Sequence, residues 1–288
     1  MPLQLHQNIN LLFLLLVGSF VANIYLSPLD ILTILIFSLI IEHLFLYLNP
    51  HRTFYFSYAT LSSAVGVIVL MYANSLWLYF FALTVGLAQK HFLTIQGKHL
   101  FNPSNFALIM VLTFFYQDAH IITGQLGDEV WLSLVVSFIA MIILIRVKRW
   151  LIPLSFTLGY LLLQYLLVVS YDPVLVFDSI YRRFYAVTFI LFIYFMLTDP
   201  SVTPKNWQAQ ILYALGIALI ASLLDRHFGY RVQHLFMAVF LLSPMVVLLQ
   251  IKMDPLTRFK WGSIILSGIV LLLYSIEMHP PYYIEMNG

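Results

Sequence analysis

The chain has 288 residues, 62% hydrophobic and only 9% charged, with a formal net charge of +2. Soluble domains carry roughly 25% charged residues, so a water-soluble globular protein is excluded, and so small a net charge gives no electrostatic footprint for nucleic acid. The chain has no cysteine, which excludes disulfides, thiolate-bound zinc and cysteine-ligated iron–sulfur clusters.

A membrane-crossing helix needs about 20 mostly apolar residues. Such runs fall near residues 9–26, 30–49, 56–73, 75–90, 104–117, 129–147, 151–170, 180–198, 207–224, 233–251 and 260–277. The first lacks a basic leader and reads as a retained helix, not a cleaved signal. The fourth, fifth and eighth are short or interrupted by polar groups, which suits half-helices or re-entrant segments. The fold class is therefore an all-α polytopic membrane protein of about 10–11 transmembrane helices, with 1–288 as a single integral membrane domain in the lipid bilayer. If every run crosses, alternate loops collect Arg52, Lys90, Lys98, Arg146, Lys148, Arg149, Lys205, Lys252, Arg258 and Lys260, ten of the fourteen basic residues. The positive-inside rule makes that side cytoplasmic, with the N-terminus inside. The opposite loops hold Asp118, Asp128, Glu129, Asp172 and Asp178.

Two polar breaks interrupt the pattern. The first is KHFLTIQGKHLFNPSNF (Lys90–Phe106) and the second FMLTDPSVTPKNW (Phe195–Trp207). A shift of 97 residues lays Asn102-Pro103-Ser104 on Asp199-Pro200-Ser201, and Arg52 on Arg149. This suggests two related halves, 27–125 and 126–225, parallel by the crossing count and inverted if one segment per half is re-entrant. Proline pushes the preceding residue out of the helical region, so Asn102 and Asp199 are expected to be non-helical and to cap the helices that follow. Both breaks can be ordinary capped loops. They can equally form a site, because irregular backbone at membrane depth survives only where protein buries it or water reaches it, and its polar groups then face a cation or an anionic ligand.

Elsewhere, Glu42 and His43 in IIEHLFLYL sit inside a crossing. There a carboxylate is expensive unless paired, protonated or hydrated, so the pair reads as a proton or cation relay or as a buried hydrogen-bonded acid. Asp178 and Arg182 have the four-residue spacing of a helical ion pair. Among nine histidines, only His43 lies well within a run, and no convincing pair of imidazoles at one depth presents itself, so haem is not expected.

GKHLFNPSNFALIM, YFMLTDPSVTPKNWQAQILYALGIALIASLL and HFGYRVQHLFMAVFLLSPM, in this order, resemble segments of the NqrB/RnfD family. These are membrane subunits of ion-translocating Nqr and Rnf electron-transport complexes. The resemblance implies about ten helices in two inverted repeats similar to urea transporters, partner subunits of a redox complex, and residence in the bacterial inner membrane. It also implies a flavin or quinone near the breaks, with Lys98, Asn102, Pro103, Asn105, Thr198, Asp199, Pro200 and Thr203 as cofactor-binding residues. An ion pathway would use Glu42, His43, Asn102 and Asp199. The family's S-G-A-T-x-x-T segment, which carries covalent FMN, is absent here, and Thr123 in DAHIITGQLGDEV lacks its context. Covalent FMN is therefore not expected, and a non-covalent flavin (FMN or riboflavin) or a quinone is. No catalytic residue or metal site is assigned; at most the chain transfers electrons as a subunit of an oxidoreductase. The alternative is a channel or carrier for a small solute or ion on the same scaffold without redox chemistry.

Overall fold

The computed structural model describes residues 15, 24–49, 55, 57–123, 125–127, 130–171 and 175–279. The expected first crossing, 9–26, lies almost wholly outside these residues, as do Arg52, Asp128, Glu129 and Asp172 of the loop-charge reading.

Helix α1 (Pro28–Leu48) begins with a capping box. The Ser27 hydroxyl accepts from the Asp30 amide at 3.2 Å, the Asp30 carboxylate accepts from the Ser27 amide at 3.3 Å, and Pro28 opens the first turn. The next run is not one continuous helix. Helix α2 (Ala59–Leu70) gives way to an extended segment, β1 (Met71–Ala73). Helix α3 (Leu76–Phe92) returns to a small hairpin, β2 (Thr94–Ile95) and β3 (Lys98–His99), followed by α4 (Pro103–Phe114) and β4 (Ala119–Ile121). The hairpin loop is Gln96-Gly97 with φ of 50° and 75°, the left-handed pair that a two-residue turn of type I′ requires.

Strands β1 and β4 pair antiparallel, Tyr72 opposite His120. The reason lies in the two short helices before them. Each helix end leaves four carbonyls without a helical partner, and in hydrocarbon those must be satisfied within the protein. Leu70 O accepts from the Ile122 amide at 2.9 Å. The Gln125 side-chain amide donates to Ile68 O at 3.1 Å and Met71 O at 2.7 Å, and the Tyr79 hydroxyl donates to Met71 O at 2.9 Å. Half-helix plus strand thereby replaces a full helix over 56–73, and a short helix plus strand does so after Asn102.

Helix α5 (Val130–Arg146) leads to α6 (Leu151–Gln164), which ends in a π-helical turn, Tyr165–Val169. The run expected at 180–198 is broken. Helix α7 (Phe177–Tyr181) and a 3₁₀ turn (Arg182–Tyr185) bend by 77° into α8 (Val187–Leu191) and its π-helical continuation, Phe192–Met196. Three long helices close the fold: α9 (Trp207–Phe228), α10 (Gln233–Gln250) and α11 (Pro255–Glu277). Among the described residues, five helices are long and apolar enough to cross a membrane, or six with the bent pair counted as one. The fifth and eighth runs are short and broken as expected; the third, 56–73, was expected to cross whole and is instead a short helix completed by a strand.

Helix α9 lies along α6, and α10 packs between α9, α4 and α11. The middle of α10 is core, with Phe236 and Phe240 buried; Phe240 stacks on Phe101 at 4.5 Å and Phe236 meets Phe192 at 4.7 Å. Helices α3 and α4 approach closely because of Gly86: a Cβ there would stand 2.5 Å from Pro103 O and 2.9 Å from Ala107 Cβ. Large apolar side chains cover the outer faces of α1, α5 and α11, as a lipid-facing surface requires, and the chain is an integral membrane protein.

Candidate functional site

The two polar breaks meet. Asn102 Nδ2 donates to Asp199 Oδ2 at 2.9 Å, a contact between residues 97 apart in sequence. Asn102 caps α4 as expected, its Oδ1 accepting from the Asn105 amide at 3.1 Å. Asp199 departs from expectation. It caps no helix; its Oδ1 accepts from the Ser201 amide at 2.9 Å, and α9 starts only at Trp207 with Asn206 as its cap. The second break is a compact turn before the helix, because Pro204 lacks the amide that a helix begun at Pro200 would need and pushes Thr203 out of the helical region.

The turn is anchored from below. Thr203 is buried; its hydroxyl donates to Asp199 O at 2.7 Å and accepts from Arg149 Nε at 3.1 Å, while its carbonyl accepts from Gln250 Nε2 at 3.0 Å. Burial draws the pKa of Arg149 down from the ordinary guanidinium value. Thr198 is buried with its hydroxyl on Tyr194 O at 2.5 Å. Asn105 is buried and donates to Phe236 O at 3.2 Å, and its Oδ1 has no hydrogen-bond partner.

Beside the Asn102–Asp199 bridge lies a cavity of about 280 Å³, walled by α2, α4, α5, α8 and the Thr198–Ser201 turn. Ser62, Ser63, Ser104, Lys90, His99, Asn102 and Asp199 supply polar groups, while Val65, Val69, Ile143, Leu144, Leu191 and Phe195 make the rest apolar. The π-helical turn supplies Tyr194, Phe195 and Met196; such turns widen a helix and recur at functional sites. Gly66 lines the wall where a Cβ would come 2.8 Å from Ser104 Oγ.

The expected residues therefore divide. Asn102, Pro103, Thr198, Asp199 and Pro200 line the cavity; Lys98, exposed on β3, Asn105 and Thr203 do not. Thr123 also lies outside the lining. Glu42 is completely buried, paired with Lys90 Nζ at 2.6 Å and His91 Nε2 at 3.0 Å. Its sequence neighbour His43 instead puts Nδ1 on Leu39 O at 2.7 Å, within its own helix. Sequence reasoning assigned Lys90 and His91 to a basic loop, whereas they end α3 and reach back into the bundle. The signal for this pairing was Glu42 itself, a carboxylate needing a cation at its depth. Asp178 and Arg182 do form their ion pair, partly exposed on α7.

Fold and cavity together define a polytopic membrane protein with a cavity where two interrupted segments join. The profile of the NQR2, RnfD, RnfE family matches residues 114–257, half of the chain. The chain belongs to that family, whose members are membrane subunits of Rnf- and Nqr-type complexes. The match takes in the second break and starts after the first. No curated protein matches the chain.

Proposed function

We propose that this chain is the electron-handling membrane subunit of an Rnf/Nqr-type complex and that its cavity takes a non-covalent flavin or a quinone. The observation that carries this reading is the cavity's placement and composition. It sits at the joined breaks, its lining combines polar and apolar side chains, and its volume approaches the roughly 300 Å³ at which small-molecule sites begin. A planar ring with polar edge atoms suits such a lining. Bound there, the ring would supply one- or two-electron chemistry that no side chain of this chain offers.

The protein's own part is positioning and charge. The Asn102–Asp199 bridge fixes the two breaks against each other, and Thr203 with Arg149 and Gln250 keeps the turn from shifting. Lys90 lines the cavity, and Glu42 fixes its ammonium at 2.6 Å. Gly66 lets α2 pack against Ser104 of α4, whose hydroxyl donates to Ser63 O at 3.1 Å, so this wall of the cavity is held rigid.

The test is the absorption spectrum of the protein purified in mild detergent, followed by denaturation, filtration and analysis of the filtrate. A yellow chromophore or a quinone in the filtrate supports the reading. A colourless protein with an empty extract refutes it, and Asp199→Asn altering solute or ion flux in liposomes would then favour the channel.

A further inference from the structure

A second buried ionic cluster lies far from the cavity. Asp225 is 18 residues along α9 from Trp207, about 27 Å at 1.5 Å per residue, at the end remote from the joined breaks. There His234, fully buried at the start of α10, puts Nδ1 2.6 Å from Asp225 Oδ1 and Nε2 3.2 Å from Glu277 Oε1 on α11. The carboxylates are otherwise held by donors. Gln164 Nε2 on α6 donates to Asp225 Oδ2 at 2.6 Å, and the Arg231 amide donates to Asp225 Oδ1 at 3.0 Å. Gln233 Nε2 and Arg231 Nη1 donate to the two Glu277 oxygens at 2.6 and 3.0 Å.

We propose that Asp225, His234 and Glu277 form a proton-binding site, in which the His234 imidazole exchanges one proton with the aqueous face opposite the cavity. Each ring nitrogen faces a carboxylate. A neutral imidazole has one N–H and turns the lone pair of its other nitrogen towards a carboxylate oxygen, whereas the imidazolium turns an N–H towards each carboxylate. With that proton the cluster balances Asp225 and Glu277 against His234 and Arg231, and without it a net negative charge is buried in the bundle, which is unfavourable at this depth. The two contacts are unequal. The Asp225 side is short and well formed, whereas Nε2 is out of line for a hydrogen bond to Glu277, so the Nε2 proton is the one that leaves.

The cluster comes nearest the surface at Arg231. Glu277 is 2% exposed, but its partner Arg231 is 19% exposed at the α9–α10 turn. The other groups facing the cluster are Tyr116, whose surroundings include Arg231, Glu277 and Gln233, and Arg183, which binds Tyr160 OH at 2.9 Å and covers the Tyr230 ring at 3.6 Å. The Phe228 ring closes the apolar side, 6.4 Å from His234. The three acids and bases do not converge on a common point as metal ligands do, because the imidazole lies between the carboxylates. This inference does not depend on what the cavity binds.

The test is ¹⁵N-histidine NMR of the full chain in lipid nanodiscs, from about pH 5 to about pH 9, with the His234 signal identified by its loss in His234→Gln. We expect a reversible change from imidazolium to a neutral ring protonated at Nδ1. Glu277→Gln removes the charge facing Nε2 and should lower the midpoint by about one pH unit, a tenfold loss of proton affinity. A His234 signal that stays imidazolium throughout identifies a fixed clamp and overturns the proposal. So does one that stays neutral, or a midpoint unmoved by Glu277→Gln. If Glu277→Gln does not fold, the wild-type titration decides alone.

Discussion

Lys90→Met isolates the buried pair that the structure places beside the cavity. Lys90 Nζ stands 2.6 Å from Glu42 Oε1, and the Glu42 side chain is wholly inaccessible. At an effective dielectric near 20, two unit charges at that distance attract by about 6 kcal/mol, most of which offsets their desolvation. Removing one partner from such a pair costs about 3–5 kcal/mol, because the other charge stays behind unpaired. His91 remains at 3.0 Å to hold Glu42, and Lys90 itself is 11% exposed, so the lower end, about 3 kcal/mol, is expected. Reversible unfolding in mixed micelles would measure it, with the double variant Glu42→Gln/Lys90→Met as the second arm. The double variant should recover about half of the loss or more, since no bare carboxylate is left. A Lys90→Met protein within about 1 kcal/mol of wild type, or a double variant less stable than the single one, would show that the pair is not the buried unit described.

Further outcomes follow from the joined breaks and their supports. Asn102→Ala removes the α4 cap and the hydrogen bond to a carboxylate together, for an expected loss of about 2–4 kcal/mol in the same unfolding assay. Asn102→Asp keeps a capping oxygen but sets two carboxylates against each other; its stability should improve on acidification relative to wild type. Gly86→Ala forces a methyl into Pro103 O, and a thermal-unfolding shift matching about 1–3 kcal/mol is expected. Asp254 caps α11 by accepting from the Thr257 amide at 2.7 Å, which holds its pKa below the usual carboxylate value. Its contribution is present above the unfolded-state pKa, about 3.9, and is lost as pH falls through the lower folded value. Asp254→Asn, which caps without titrating, should flatten that part of the stability–pH curve.

Much of this architecture could be read from residues alone. Apolar runs located almost every helix, since composition over about 20 residues is what a bilayer selects. Asn102-Pro103 announced its cap because proline and asparagine act locally. The contact between Asn102 and Asp199 was foreshadowed by matched tripeptides. Lost from view were features set by neighbours in space. Nothing near Met71 or Ala119 announces a strand pair, which exists because two short helices end at membrane depth with carbonyls to satisfy. Glu42 was visible as a buried acid, but its partners come from the end of α3, and His43 was the misleading choice: adjacent residues on a helix do not share a face. His234 stands at the edge of the run 233–251, and nothing in the sequence announces that α11 brings Glu277 to its far side.

The central proposal is that the cavity at the joined breaks holds a redox-active ring without a covalent bond. It is tested most directly by quantifying flavin and quinone extracted from equal amounts of wild-type protein and Ala140→Phe. Ala140 is buried on the cavity wall, and a phenyl ring there would occupy the space. We expect about one equivalent of flavin or quinone per chain in the wild type, released without proteolysis, and a loss of about tenfold or more in the folded variant, the equivalent of roughly 1.4 kcal/mol. An unchanged yield from Ala140→Phe, or neither compound in the wild-type extract, would contradict it.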